Sequence, residues 1–447
     1  MQSHRIKKFK LVIITLLLPL LLISCSSKLV DIKSLSRDEN DTSTPPPGNE
    51  AKNTGNDNKN TEEEITIKLL VTNEFVVNDK RKEAFNQMHP NVKIECEIRE
   101  YSDTKNIMNE ITQGMGYDIL SIERDQMGEF STLDGFEDLF SPPYNAAEIT
   151  DRFYEHQLSW LKTLDGKKLL ALPLTHLPKV TYYREDILKK YGFPTDPEKL
   201  AKYMEDPDNW LNMAKELRKH DKWVLSWEGE MLEVYSYGEG CFDKNLKFKL
   251  NTSEHARMVE LAGSIKKANL MSSLNVWTST GQEALRDGKI AMFCLGSYGE
   301  TQLQSWAPQT KGKWKVTSLP FGAYGLDGSP ALAISKNSKH KDLAWDLVKI
   351  ISLDDHQDYL NNVNDESEFL GGQQSNKLYA QLRTKIPISY STPLDSKVYD
   401  LWKTEVQKYY EYDNNSNTAE DALKDIEQKI YNTFGKELEI LKKTFIN

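Results

Sequence analysis

Polar side chains follow two apolar, strand-like runs of the sequence at the points where those runs end. The runs occupy residues 65–71 and 119–122. The side chains are Asn73 and Glu74 after the first run, and Glu123, Arg124 and Asp125 after the second. Open α/β sheets bind their ligands beside the carboxyl ends of the strands, and amide, carboxylate and guanidinium groups can hydrogen-bond hydroxyl groups. We therefore expect these side chains to contact a small bound molecule.

Further candidates are polar residues after a third run and aromatic residues in polar surroundings. Thr175 and His176 follow the run at 169–173 after one intervening residue, Leu174. The aromatic candidates are Trp227, Trp277, Tyr298, Tyr324 and Tyr390. Glu228, which is adjacent to Trp227 in the sequence, is also a candidate. Their rings could stack on the apolar face of a ring-shaped ligand, although a tryptophan can equally be part of the core. Trp345 has apolar helical neighbours, so we expect it in the core.

The strands and helices predicted around these residues indicate an α/β fold. A strand at 65–71, a helix at 78–88 with Asn78 as its cap, and alternating apolar residues at 92–98 give the spacing of a parallel β-α-β unit. Further strands are predicted at 119–122, 169–173 and 331–335. Further helices are predicted at 106–114, 186–191, 208–219, 254–268, 338–351 and 418–434.

The amino-terminal segment resembles a bacterial lipoprotein signal peptide. A basic front precedes an apolar run at 11–23, which is shorter than the ~20 residues of a spanning helix, and Cys25 follows. The prediction is a signal peptide at 1–24 and a lipid anchor, such as palmitate, on Cys25, at the extracytoplasmic face of the cell membrane. The alternative is an uncleaved anchor. Residues 25–64 lack apolar periodicity and are predicted to be a disordered linker.

Composition limits the partners and the chemistry. The chain has 67 acidic and 57 basic side chains, which argues against nucleic acid as a partner. Cys294 lies in an apolar run, and Cys96 and Cys241 could pair or stay reduced. We favour free, buried thiols, and we expect neither a cofactor nor a metal.

Five segments, in this order along the chain, resemble segments of the extracellular solute-binding proteins of ABC importers, in the sugar-binding group that includes the maltodextrin-binding proteins. They are YDIL at 117–120, DGKKLLALP at 165–173, YYREDIL at 182–188, GKIAM followed by GSY at 288–298, and AISKNS followed by AW at 333–345. Each segment alone is weakly specific, whereas their order is specific. The resemblance covers residues 65 to the carboxyl-terminal helix.

The resemblance implies the two-lobed, hinged α/β fold of type II periplasmic binding proteins. It places residues 65–173 and 330–372 in an amino-terminal lobe, and residues 174–329 and 373–447 in a carboxyl-terminal lobe. It also implies a monomer that binds a sugar or oligosaccharide between the lobes, without catalysis, and passes it to ABC permease subunits. The thirteen candidate side chains named above, which do not include the core residue Trp345, are the expected ligand contacts.

Other functions stay open at this stage. Adjacent tyrosines can hold ferric iron in relatives of this fold, and Tyr182-Tyr183 is such a pair. A peptide or polyamine could replace the sugar, and the closed form could signal to a membrane receptor. A surface glycosidase would need two carboxyls across the scissile bond, for which Glu228 and Glu230 are candidates. His176, His220 and His255 are isolated in the sequence and lack zinc-site spacing.

Overall fold

The computed structural model describes most of the chain after residue 64. The described residues are 65–72, 74–99, 104–114, 116–124, 126–236, 238–328, 330–411 and 418–446, and the side chains of Glu74, 104–105 and 355–361 are not described. The predicted signal peptide, Cys25 and the predicted linker lie outside the described residues.

The described residues form a five-stranded sheet in the order β2-β1-β3-β8-β4. Its strands are β1 Ile65–Val71, β2 Val92–Ile98, β3 Ile119–Ile122, β4 Leu172–Pro173 and β8 Ala331–Ile334. β1 runs parallel to β2 and β3, and β8 runs antiparallel to β3 and β4. The parallel β-α-β unit predicted from the sequence is confirmed. Its helix begins after Asn78, whose side chain accepts a hydrogen bond from the Arg81 amide.

A second sheet of three antiparallel strands has the order β6-β5-β7. Its strands are β5 Lys179–Arg184, β6 Met292–Gly296 and β7 Trp314–Thr317. We call the part of the molecule built around the five-stranded sheet the large-sheet lobe, and the part built around the three-stranded sheet the small-sheet lobe.

Helices cover both sheets. They are α1 Asp79–Met88, α2 Thr104–Thr112, α3 Met127–Phe130, α4 Glu155–Leu158, α5 Glu185–Lys190, α6 Pro197–Met204, α7 Pro207–Arg218, α8 Glu230–Ser236, α9 Ser253–Lys267, α10 Ser279–Arg286, α11 Gly299–Trp306, α12 Lys341–Asn361, α13 Ser375–Arg383, α14 Asp395–Glu411 and α15 Ala419–Phe445. The predicted helices are confirmed in type, and the last two of them extend further along the chain, as α12 and α15. The additional turns of these two helices form because packing of an apolar face stabilises each added turn.

Each lobe has its own apolar core. In the large-sheet lobe, Leu69 and Leu332 of the sheet are fully buried with Leu347 of α12. Trp345 is buried in this core and meets Tyr144 edge to face, with ring centroids 5.8 Å apart, which confirms its predicted core position. In the small-sheet lobe, the sheet and the helices around Trp402 bury two adjoining apolar clusters.

Two chain segments cross between the lobes side by side. The amide of Leu174 donates to the carbonyl of Pro330 at 2.9 Å, and the amide of Asp327 donates to the carbonyl of Leu177 at 2.9 Å. These hydrogen bonds lie beside the predicted lobe boundaries after residues 173 and 329. Near the predicted boundary after residue 372, Phe369 already packs in the small-sheet lobe. The residue-level lobe boundaries stay a prediction.

The described cysteines are free. Cys241 is buried and Cys294 partly buried, as expected, but Cys96 is exposed. The expectation of burial was wrong for Cys96 because it lies on β2, an edge strand whose outward face has no covering helix at that position.

Candidate functional site

A cavity of about 550 Å³ lies between the lobes. Residues of both lobes and of the second crossing segment line it: Glu123, Arg124, Glu233, Ser236, Gly240, Cys241, Leu250, Leu326, Gly328, Ser389, Tyr390, Ser391, Asp395, Ser396, Tyr399 and Asp400. Its volume is within the range of about 300–1,000 Å³ that is usual for small-molecule sites. Three of the sequence candidates, Glu123, Arg124 and Tyr390, are therefore brought together here.

Glu123 enters the cavity from the end of β3, as the sequence pattern predicted. Thr72, which directly follows β1, donates from its hydroxyl to Oε1 of Glu123 at 3.2 Å. The two neighbouring strand ends are thus tied together by their first polar residues. Burial raises the pKa of the Glu123 carboxyl, while the Thr72 hydrogen bond opposes that shift.

Arg124 bridges the two lobes. Its Nη2 donates to Oγ of Ser389 at 2.5 Å and to the carbonyl oxygen of Gly238 at 3.4 Å. Close backbone contact continues this bridge, because a Cβ placed on Gly128 of α3 would lie 1.9 Å from the carbonyl oxygen of Thr392. The segment before α14 therefore lies directly against the large-sheet lobe.

The first turns of α14 supply the opposite wall. Asp395 accepts hydrogen bonds from the Thr392 amide at 2.7 Å and the Thr392 hydroxyl at 2.8 Å, which fixes the start of the helix. Burial raises the pKa of Asp395 to about 6, partly offset by these hydrogen bonds and by Arg124. Tyr399 lies one turn further on, four residues after Asp395, on the same helical face. The wall thus combines carboxylates with an aromatic ring.

Thr175 and His176 belong to the crossing and adjoin a smaller, separate pocket. Nε2 of His176 lies 2.8 Å from Nε2 of His156, and Tyr154 stacks on His156 with ring centroids 5.4 Å apart. Burial, together with the nearby Arg124 charge, lowers the pKa of His156 to about 4. The Thr175 hydroxyl donates to the carbonyl of Gly328, a residue of the main cavity, at 3.3 Å.

The remaining described candidates lie elsewhere. Lys403 Nζ sits 5.0 Å from the Trp227 ring, Trp277 packs edge-on against Trp306, and Lys385 Nζ sits 5.4 Å from the Tyr324 ring. Tyr298 donates from its hydroxyl to Oδ2 of Asp327 at 3.4 Å, one residue from the cavity lining.

None of these four aromatic residues, nor Glu228, is among the residues of the described chain that line the cavity. Asn73, Asp125 and the side chain of Glu74 are outside the described residues. The ligand-binding roles of all thirteen candidates stay predictions.

Sequence reasoning missed the part of the lining that comes from helices. Glu233 and Ser236 of α8 line the cavity, together with four residues of the first turns of α14: Asp395, Ser396, Tyr399 and Asp400. A signal was present, since Thr392 and Asp395 have the spacing of a helix cap, and the four α14 residues form two i, i+4 pairs. That pattern predicts a polar helical face but not what the face is opposite.

Three of the residues considered for metal binding or catalysis, Tyr182, Tyr183 and Glu230, make hydrogen bonds within the protein. The Tyr182 hydroxyl donates to the carbonyl oxygen of Gly296 at 3.2 Å, and the Tyr183 hydroxyl donates to that of Thr195 at 2.6 Å. Glu230 accepts a hydrogen bond from the Ser226 amide at 2.6 Å, and burial raises its pKa to about 7. Over the described ranges, no group of three or more His, Cys, Asp or Glu side chains could hold a metal ion.

Among the described residues, no helix is both long enough and hydrophobic enough to span a membrane.

Comparison with known proteins gives one matching family and many matching structures. Residues 80–362 match the sequence model of a family described as "Bacterial extracellular solute-binding protein". A crystal structure described as "Extracellular solute-binding protein family 1" is 18% identical, with a TM-score of 0.68, over 82% of this chain and 99% of that one.

Two sugar complexes are also similar. One is the galacto-N-biose-/lacto-N-biose I-binding protein of the Bifidobacterium longum ABC transporter, bound to lacto-N-biose, at 18% identity and a TM-score of 0.65, over 84% of this chain and 98% of that one. The other is maltose-bound T. maritima MalE3, at 19% identity and a TM-score of 0.59, over 83% and 100%. These likenesses confirm the predicted two-lobed α/β fold.

Proposed function

Since this chain belongs to the bacterial extracellular solute-binding proteins, we propose that it captures an extracellular carbohydrate in the cavity between its lobes and delivers it to an ABC importer. The observation that carries the proposal is the cavity itself. Glu123 and Arg124 of one lobe lie across from Tyr390, Tyr399 and Asp400 of the other. Carboxylates can bond hydroxyl groups at fixed angles while tyrosine rings pack on the apolar face of a sugar ring.

The similar structures support the ligand class. Their descriptions name lacto-N-biose in the Bifidobacterium longum protein and maltose in the T. maritima protein. The cavity volume of about 550 Å³ would admit a mono- or disaccharide. The proposed role is capture without catalysis, and Glu228 with Glu230 is no longer a strong catalytic pair because Glu230 is tied to the Ser226 amide.

Capture would proceed by closure about the crossing segments. A sugar would bond first to one lobe, and closure would bring the tyrosines of the other lobe over it, as a shift of population toward the closed state. The Arg124 contacts with Ser389 and Gly238 would help to hold that state. A monomeric, closed form would then dock on permease subunits that contact both lobes.

The proposed location is the extracytoplasmic face of the cell membrane. The family is extracellular. A lipid on Cys25, after removal of residues 1–24, would hold the protein there. Deleting the gene distinguishes transport from signalling: unchanged uptake of the ligand would contradict the importer role.

A thermal-shift screen tests the ligand class. The chain from residue 25, made with Cys25→Ser to avoid lipidation, is screened against mono- and oligosaccharides, with peptides, polyamines and ferric iron as controls. A ligand at about 100 times its Kd adds about 2.7 kcal/mol to the stability of the folded state. A sugar response supports the proposal, whereas a response only to a peptide, polyamine or iron contradicts the carbohydrate assignment.

A further inference from the structure

The cavity between the lobes carries more negative than positive charge. Its lining includes four carboxylates, Glu123, Glu233, Asp395 and Asp400, and one cationic side chain, Arg124. The guanidinium of Arg124 already donates to Ser389 and Gly238. The chemistry that this wall presents to a solute is therefore mainly that of carboxylates.

Two of the four carboxylates are compensated by the protein. Glu233 forms an ion pair with Lys403, one helix away on α14. Asp395 accepts two hydrogen bonds from Thr392 and lies in the field of Arg124, which favours its charged form. These two residues have structural partners and need none from a ligand.

The other two carboxylates, Glu123 and Asp400, have no cationic partner in the described parts of the chain. The Thr72 hydroxyl is the protein group that bonds Glu123, and it is neutral. Asp400 is exposed on the opposite wall. Enclosing the partly buried Glu123 carboxylate with a neutral solute removes water from its charge at a cost, whereas a cationic solute would compensate both Glu123 and Asp400.

The same lining also presents hydroxyl groups and aromatic rings. Ser391 and Ser396 border the cavity, and their hydroxyls make no hydrogen bond to the described residues. Tyr390 and Tyr399 border it as well. Free hydroxyls suit a polyhydroxylated solute, and tyrosine rings attract both the apolar face of a sugar and a nearby ammonium group.

We infer that the solute is an amino sugar with a free ammonium group, held between Glu123 and Asp400 while its hydroxyls bond the serines. This inference rests on the proposed function and names the substrate class of the same site. A simple polyamine would satisfy the carboxylates but leave the serine hydroxyls without partners.

The test compares sugars that differ only by an ammonium in place of one hydroxyl on each ring. The Cys25→Ser chain is titrated calorimetrically with glucosamine and glucose, galactosamine and galactose, and the β-1,4-linked glucosamine disaccharide and cellobiose. In each pair an ammonium replaces a hydroxyl on an unchanged ring. In at least one pair, the amino sugar should bind ten-fold or more tightly than its neutral partner, and raising the salt to 0.5 M should reduce that ratio because salt screens accessible charges, with a Debye length between about 8 Å at 0.15 M and about 3 Å at 1 M.

Matched variants connect the preference to the two carboxylates. Glu123→Gln and Asp400→Asn should each reduce the amino-sugar preference several-fold, whereas Glu437→Gln and Asp425→Asn, at exposed positions on α15, should leave it unchanged. An unchanged thermal midpoint in each variant shows that folding is intact.

The other outcomes separate this inference from the proposed function. If the neutral sugars bind as tightly as the amino sugars, the inference is overturned and the carbohydrate function stands. If spermidine or putrescine binds and no sugar does, both the amino-sugar assignment and the carbohydrate proposal are overturned.

Discussion

The large-sheet lobe lines the cavity with Glu123 and Arg124, which directly follow β3. The small-sheet lobe lines it with residues of α8, of the segment after α8, of the loop before α14 and of the first turns of α14. The first kind of position can be recognised in a sequence, because a polar residue ends a buried strand. The second kind cannot, because the role of a helical face depends on what it is packed against. The two lobes thus differ in how directly their sequence encodes the site.

The close contact between Gly128 and the Thr392 backbone should be the most sensitive position. Gly128→Val would place a Cβ 1.9 Å from the Thr392 carbonyl oxygen, and backbone has little freedom to yield. Overpacking of this kind costs on the order of 3 kcal/mol, so the free energy of unfolding measured in urea should fall by about that amount. Gly116→Ala is the control, since nothing lies within 4 Å of the added atom. Equal stability of the two variants would mean that the lobes are not in contact here.

The histidine pair beside the crossing should make the molecule sensitive to acid. The pKa of His156 is about 4 in the folded protein and about 6.5 when exposed, so the unfolded chain takes up the proton first as pH falls. The contribution of His156 to the free energy of unfolding is therefore fully present above about pH 6.5. It is lost as the pH falls toward 4, by on the order of 3 kcal/mol.

Urea unfolding of His156→Gln should show a shallower loss of stability over the same pH range. The corresponding control is His220→Gln, an exposed histidine that lies 3.4 Å from Glu216 of α7. A wild-type slope that persists in His156→Gln would assign the acid sensitivity to other groups.

The aromatic residues provide a sharper contrast between sequence and structure. Tyr390→Ala removes a ring from the cavity lining and should weaken binding of a sugar identified in the screen by about 2 kcal/mol, or about 30-fold. Trp277→Ala should leave the affinity unchanged, because that ring packs on Trp306 and is 54% exposed. Titration calorimetry measures both. A loss confined to Trp277→Ala would favour the prediction from sequence over the cavity.

The Arg124 bridge should have the smallest effect. Arg124→Gln removes the charged hydrogen bonds to Ser389 and Gly238, which would shift the closure equilibrium by about 1 kcal/mol toward the open form. Small-angle X-ray scattering of the unliganded variant should give a larger radius of gyration than wild type. Arg257→Gln, on the exposed surface of α9, should scatter as wild type does. Identical scattering of all three proteins would show that Arg124 does not hold the lobes.

Much of the fold could be predicted because its elements are local patterns. The cap at Asn78, the alternation at Val92–Ile98 and the apolar face of α15 each specify an element within a few residues. The exposure of Cys96 could not be predicted in this way, because a strand pattern does not reveal whether the strand is at the edge of its sheet.

Sequence patterns found the cavity lining at a strand end, for Glu123 and Arg124, and at one loop aromatic residue, Tyr390. Glu123 was found from its place after β3, but Asp400 was missed, since its position opposite Glu123 depends on contacts over more than 250 residues of sequence. Trp227 and Trp277 have polar neighbours like those of a binding residue. Their rings nevertheless pack against Lys403 and Trp306, and these contacts could not be predicted from the sequence.

The central claim is that one solute is held by both lobes at once. The most direct test is calorimetric titration of a sugar identified in the screen into wild type, Glu123→Ala and Asp400→Ala, which alter opposite walls of the cavity. Our account predicts that each variant loses at least ten-fold in affinity with an unchanged thermal midpoint. Wild-type affinity in either variant would contradict it, because the ligand would then be held by one lobe or at another place.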